Sequence, residues 1–274
     1  MHEKKLLQRL QDPKGLIGLS ILFFFIMMAF LAPMLTPYSS SDASSQPLLV
    51  PDGEHPLGTD DVGRDIFTNL LYGSRTSLTV AFSVSFGVLV IGTLAGVFSG
   101  YVGGNPDRIM MRSVDIFLMV PDLPLILILA AYLRPSIWNI VFILTIMGWP
   151  VGARITRAQT RTLRVSGHVD FARVSGAKDW YVIRKHIVPD LYPIMITSFV
   201  MQSIRAILSE SGLAFLGLGD PSYPSWGTMI KYAIGYPLVF FTDAWMWWLL
   251  PAGICITLLV LGFVFVGQAL EGDK

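Results

Sequence analysis

The chain has 274 residues, of which 53% are hydrophobic and only 14% charged, with a formal net charge of +1. That composition excludes an ordinary soluble domain, and several runs reach the roughly 20 apolar residues that a bilayer span requires. A lone Cys255 inside an apolar run excludes an internal disulfide or a cysteine metal cluster, and four scattered histidines show no ligand spacing, so no metal is expected.

Residues 1–14 are basic, with Lys4, Lys5, Arg9 and Lys14, and an apolar run over 15–35 follows. A cleaved signal peptide begins the same way. This run is longer than an h-region and no A-x-A site follows it, so an uncleaved first span is expected. Residues 36–76 form a polar interval. Its second half and the residues after it, HPLGTDDVGRDIFTNLLYGSRTSL over 55–78, are punctuated by Gly58, Gly63 and Gly73, with Asp60, Asp61, Arg64 and Asp65 clustered between them. Three aspartates within six positions suggest a cation site, but the spacing is not that of a calcium loop and favours a hydrogen-bonded turn.

The second expected span, 77–100, carries Gly92, Gly96 and Gly100 at four-residue spacing, which permits close helix approach. Residues 101–112 read as a short turn with Arg108 and Arg112. The third span, 113–133, contains Asp115, Pro121, Asp122 and Pro124. Two prolines interrupt the backbone ladder and predict a kink. An ionisable group at this depth is costly, so Asp122 either lines a path or caps a broken helix. The fourth span, 137–155, runs into Arg154, Arg157, Arg161 and Arg164 on one helical face, suited to anionic headgroups or to a protein partner.

The most informative stretch is HVDFARVSGAKDWYVIRKHIVP, 168–189. It reads as two short helices joined at Gly176, where a helix end needs a left-handed residue. Trp180, Ile183 and Ile187 fall at helical spacing, and Pro189 is expected to end the second piece. Such a basic helical hairpin suits docking on another protein; the plainer alternative is a solvated loop. The fifth span, 191–211, holds Gln202, Ser203, Arg205, Ser209 and Glu210. Arg205 lies deep and calls for a partner or water, with Ser209 a near helical neighbour and Glu210 five positions on. The turn-rich 211–227 that follows is no nucleotide fingerprint, because no strand precedes its glycines. The sixth span, 244–266, opens on Trp245, Trp247 and Trp248 as an interfacial belt, is interrupted by Pro251, and leaves a short tail at 267–274.

Six spans place both termini on one side. If that side is the cytoplasm, fifteen of the 20 Lys and Arg lie there, and the 168–190 hairpin faces it too. No GxxxxGK[ST], HExxH or protease-like Ser/His arrangement occurs, so the chain reads as non-catalytic.

Three stretches resemble permease subunits of ATP-driven (ABC) importers. His55, Leu57, Gly58, Thr59, Asp60, Gly63, Arg64, Asp65, Gly73, Arg75, Ser77 and Leu78 match the HxLGTDxxGRDxxxRxxxGxRxSL signature of the peptide- and nickel-type permeases, with Asn69 in place of an arginine. ESGLAFLGLG at 210–219 followed by Trp226-Gly227 is similar to a second signature of that subfamily. The third, Asp170-Phe171-Ala172, Gly176, His186, Val188 and Pro189, resembles the EAA loop, with Asp for Glu, Phe for Ala and His for Ile.

The resemblance implies an all-α integral membrane protein with six transmembrane helices and the MetI-like fold of type I ABC importers, its transmembrane domain at 77–266 and its coupling loop at 156–190. It implies ATPase coupling through Asp170, Phe171, Ala172, Gly176, Ala177, His186 and Pro189. The path candidates are Asp122, Gln202, Arg205, Ser209 and Glu210, and the extracytoplasmic signature is Gly58, Asp60, Gly63, Arg64 and Asp65. The implied partners are a second homologous permease, two P-loop ATPase subunits, an extracytoplasmic substrate-binding protein and the lipid bilayer of the cell membrane. No nucleic acid is expected. No cofactor is expected on this chain, ATP and magnesium belonging to the partner subunits. Peptide is the leading substrate, with nickel or a metal chelate and oligosaccharide as alternatives. An autonomous secondary transporter is the competing class; it favours inverted repeats, and no convincing repeat is present.

Overall fold

The computed structural model describes residues 11–43 and 45–271. The expectations for Lys4, Lys5, Arg9 and Lys274 lie outside the described residues. Helix α1 spans Pro13–Leu35, α2 Ile66–Val102, α3 Gly104–Met119, α4 Asp122–Tyr132 and α5 Ile137–Arg164. After them come α6 (Gly167–Val174), α7 (Asp179–Val182), a π-helical turn (Ile183–Ile187), α8 (Val188–Phe215), α9 (Trp226–Gly235), α10 (Ala244–Trp247) and α11 (Leu249–Glu271). Five stretches are long and apolar enough to cross a membrane: Pro13–Leu35, Ile66–Val102, Ile137–Arg164, Asp179–Phe215 and Ala244–Glu271. The α3–α4 pair, bent by 83°, makes a sixth if taken as one broken span. No strand occurs among the described residues, and the architecture is all-α.

The bundle is held by close backbone approaches and three apolar clusters. The glycine stripe of α2 lies on α5: a Cβ at Gly96 would sit 2.6 Å from Thr156 Cβ and 2.7 Å from the Ala153 carbonyl, and one at Gly100 2.8 Å from the Arg157 carbonyl. Helix α1 meets α11 in the same way, since a Cβ at Gly18 would lie 2.7 Å from the Gly262 carbonyl. Phe25, Ile66, Trp226, Trp248 and Phe263 centre one cluster; Val84, Ile126, Ile143 and Ala206 another; Val97, Tyr101, Val169, Val182 and Leu191 the third, beneath the hairpin. Large apolar side chains such as Phe30 and Phe86 stay exposed, as lipid-facing positions require.

Several boundaries differ from the sequence expectations. Helix α2 starts at Ile66, eleven residues before the expected second span, because Asp65 caps it by accepting the Thr68 N–H at 2.6 Å. The expected turn at 101–112 is helical from Gly104 onward. The chain breaks only at Gly103 and Gly104, with φ of +70° and +62°, and Pro106 falls in a first turn whose N–H groups have no helical partner. The expected third span is two helices. Pro121 forces Val120 out of helix geometry to φ −84° and ψ 130°, and the chain turns there.

Pro189 does not end the second hairpin helix. The chain continues through it into α8, the wider π turn before it absorbing the missing N–H. The turn-rich 211–227 stretch is helical to Phe215 and again from Trp226, where Ser225 and Thr228 form a capping box. Of the three tryptophans, Trp248 is packed inside at 2% exposed, the Trp247 ring lies 3.2 Å from where a Cβ at Gly58 would be, and Trp245 is half-buried.

Candidate functional site

Asp122 and Arg205 come together across 83 residues. Arg205 Nη2 on α8 donates to Asp122 Oδ2 on the first turn of α4 at 3.0 Å, with side chains 53% and 42% exposed. Gln202 and Ser209 line the same small cavity of about 30 Å³, with Gly148 of α5 behind them. Gln202 and Arg205 also border a larger groove of about 240 Å³ between α2, α5 and α8, whose other walls are mostly apolar. Asp122 thus both opens a broken helix, where the dipole favours a carboxylate, and faces a cavity. Of the five sequence candidates here, Glu210 does not join. Five residues past Arg205 it is turned about 140° around the helix, is 2% exposed, and accepts from Ser77 Oγ at 3.5 Å in the packed interior.

The arginines after the fourth span do not form one free face. Arg157 pairs with Asp107 through Nε at 2.5 Å and Nη2 at 2.6 Å, and Ser99 Oγ donates to the same carboxylate. Arg154 pairs with Asp115 at 2.5 Å, and Arg164 lies over the Tyr101 ring. The onset of α3 at Gly104, hidden by its Gly-Gly-Asn-Pro sequence, is what sets both aspartates against α5.

The hairpin is a compact unit with an apolar outer face. Gly176, at φ +85°, donates to the Arg173 carbonyl at 2.9 Å, and Ala177 N–H donates to the Ala172 carbonyl at 3.0 Å. Together these form a Schellman end to α6. Ala172 and Ala177 pack inward with Val169 and Val182. Phe171, Val174 and Trp180 are 76%, 89% and 71% exposed, and Asp170 is exposed beside them. His186 lies 6.0 Å from the rings of His168 and Tyr181. The hydroxyl of Tyr101, at the end of α2, donates to Asp179 at 2.5 Å, and Arg173 stacks on the Tyr101 ring at 5.0 Å. Tyr101 was not legible as an anchor, because its partners Arg164, Arg173 and Asp179 all lie more than 60 residues away.

The 45–68 segment is closed by its own polar groups. Asp60 Oδ1 accepts the N–H groups of Val62 at 3.0 Å and Arg64 at 2.8 Å. Asp65 also holds His55 Nδ1 at 2.8 Å, and Tyr38 stacks on His55. Thr59 Oγ1 donates to the Gln46 carbonyl and accepts from Leu49 N–H. Gly58 and Gly63 carry φ of +68° and +84°. Burial of Asp60 raises its pKa above the ordinary carboxylate value, against the lowering effect of the two N–H donors. These carboxylates serve backbone groups, and among the described residues no group of three or more His, Cys, Asp or Glu could hold a metal.

The family described as binding-protein-dependent transport system inner membrane component matches residues 92–272, and the N-terminal TM domain of oligopeptide transport permease C matches residues 10–51. The chain is 37% identical over 261 residues to the dipeptide transport system permease protein DppC of Alkalihalophilus pseudofirmus, which covers 94% of this chain and 84% of that protein. It is 37% identical over 264 residues to the oligopeptide transport system permease protein OppC of Bacillus subtilis, covering 94% and 83%. Among solved structures, the inward-facing MetNI methionine ABC transporter matches with a TM-score of 0.57 at 20% identity, over 74% of this chain and 96% of that one, a likeness of fold alone. From its bent helical bundle, its matched regions and these relatives, the chain belongs to the binding-protein-dependent transport inner membrane components, with an N-terminal region of the oligopeptide permease C type and a MetI-like fold.

Proposed function

We propose that the chain is one permease half of a binding-protein-dependent ABC importer for peptides, and that Asp122, Gln202, Arg205 and Ser209 face its translocation path. The observation that carries this reading is the meeting of those four residues at one half-open cavity between otherwise apolar helices. A zwitterionic peptide offers a carboxylate to Arg205 and an ammonium to Asp122, so each end of the substrate replaces a bond within the pair. The relatives named for dipeptides and oligopeptides support peptide over a metal chelate or a sugar.

On this reading the termini and the hairpin are cytoplasmic, as the distribution of Lys and Arg favours. The exposed Phe171, Val174 and Trp180 present an apolar patch to an ATPase subunit, with Asp170 beside them. Residues 179–215 run on as nearly continuous helix, so a pull on the hairpin acts along α8 on Arg205. Closure of two ATPases around ATP would rock this chain against a second permease by alternating access.

The test is uptake by the reconstituted importer. Arg205→Ala should lower peptide uptake about tenfold or more, and Arg205→Lys should recover part of it. Unchanged uptake by Arg205→Ala would remove the cavity from the path. Purification from the native membrane should recover P-loop ATPases, a second permease and a binding protein. The chain alone transporting in liposomes without ATP would make it an autonomous transporter.

A further inference from the structure

We propose that Arg64 and the cavity it lines receive a carboxylate side chain of the extracytoplasmic binding protein. The proposal rests on the importer reading above and gives a docking role to a signature residue whose side chain makes no hydrogen bond or ion pair within the fold. Around it, Asp60, Asp65, His55 and Thr59 all make hydrogen bonds within the segment. Arg64 does not. Its Nε is buried without a partner, and its guanidinium makes no hydrogen bond or ion pair among the described residues, resting instead over the Tyr232 ring at 5.8 Å. A buried donor left unmade is costly, and a guanidinium presents its donors as a fork that fits a carboxylate.

The cavity beside it holds about 240 Å³. Its floor is buried Ile66, Asn69, Met229 and Trp248, and its rim is exposed Ser41, Pro221, Ser222 and Tyr223. Two carboxylates also line it, and both are engaged by backbone. Asp60 takes the N–H groups of Val62 and Arg64, and Asp220 takes those of Ser222 at 2.9 Å and Ile137 at 3.3 Å. Neither carboxylate hydrogen-bonds the guanidinium, although the Arg64 charge acts on Asp60 across the cavity, so its donors stay available to an incoming anion. The cavity shares no lining residue with the groove and cavity at Arg205. Lined by buried Ile66, Asn69, Met229 and Trp248 and set apart from the Arg205 cavity, it suits an occupant that enters and leaves by the same mouth. A side chain carried on a docking protein does this; a transported peptide does not.

The experiment uses the assembled importer in nanodiscs with its own binding protein, and reads the dissociation constant across a salt series. Arg64→Gln should weaken binding about tenfold or more and flatten the salt dependence, with Arg64→Lys in between. The melting temperature should shift little, because the Arg64 side chain makes no internal hydrogen bond or ion pair and only rests over the Tyr232 ring. With Arg64 retained, Ser222→Cys at the rim, alkylated with a benzophenone maleimide and irradiated, should photocrosslink to the binding protein beside an acidic patch; Cys255, the natural thiol, is buried. Equal affinity of Arg64→Gln and wild type, or no rim crosslink, would overturn the proposal and leave the importer reading standing. A fall in uptake with unchanged binding-protein affinity would also overturn it, pointing to the peptide's own carboxylate. A wild-type complex that binds no binding protein would overturn the importer reading first.

Discussion

The 45–68 segment and the 167–187 hairpin are both polar, and both turn on glycines with positive φ, yet they hold their shapes in opposite ways. In the first, carboxylates and a threonine hydroxyl bind backbone groups of the same segment, and its two positive-φ glycines, Gly58 and Gly63, pack against neighbouring chain. A Cβ at Gly58 would collide with the Leu49 carbonyl and lie 3.2 Å from the Trp247 ring. In the second, the turn is closed by two backbone hydrogen bonds, and a Cβ at Gly176 would meet nothing within 4 Å. One region spends its polar groups on itself, and the other leaves Phe171, Val174 and Trp180 uncovered. A surface that leaves large apolar side chains in water is built for something to cover it.

The difference can be broken at its glycines. Gly58→Ala should have the largest effect, since the left-handed φ alone costs about 1–3 kcal/mol for a residue with a Cβ and the collision with Leu49 adds to it. A clear fall in melting temperature in detergent, beside a small one for Gly176→Ala, is the expected outcome; equal falls would show that the two turns are not differently packed. Gly176→Leu sharpens the same contrast from the functional side. It carries the same left-handed conformational cost of about 1–3 kcal/mol and no collision of its Cβ, so membrane insertion should persist. The larger side chain sits at the end of α6, beside the proposed docking face, and ATP-driven uptake should be abolished. Normal uptake by this variant would remove the glycine from the coupling mechanism.

Much of this architecture was written in local signals. Hydropathy marks the spans because lipid leaves a helix no other way to satisfy its backbone; of the six expected, five are long apolar helices and the other is the bent α3–α4 pair, and Gly176 marks the end of α6 because the turn needs φ of +85°. The need of Arg205 for a partner was legible from its depth, but the partner was not. Helical neighbours pointed to Ser209 and Glu210, whereas the pair is with Asp122, brought near by the bend at Pro121. The ion pairs of Arg154 and Arg157 were hidden for the same kind of reason. They depend on where α3 begins, and Gly103-Gly104-Asn105-Pro106 reads as a turn until Pro106 is seen to fit a first helical turn. Pro189 misled because a proline stops a helix only when nothing before it can widen, and here a π turn does.

The smallest expected effect is the most specific to the closed segment. Asp60 is 3% exposed, and its pKa is raised above the ordinary aspartate value, chiefly by burial. The folded segment therefore binds this proton more tightly than the unfolded chain does. Its contribution to stability is fully present below the ordinary value and is lost as pH rises through the folded one. Acidification across that window should raise the protection of the Val62 and Arg64 amides, the two N–H groups that Asp60 Oδ1 accepts, relative to their intrinsic exchange rates at each pH. Asp60→Asn keeps an oxygen acceptor at that place but carries no charge, so it should hold the high protection at every pH and abolish the pH dependence of the protection. The hairpin amides, measured in the same samples, serve as the internal reference. If Asp60→Asn keeps the wild-type pH dependence at Val62 and Arg64, the slope comes from another group, and burial of Asp60 is not what the segment's stability responds to.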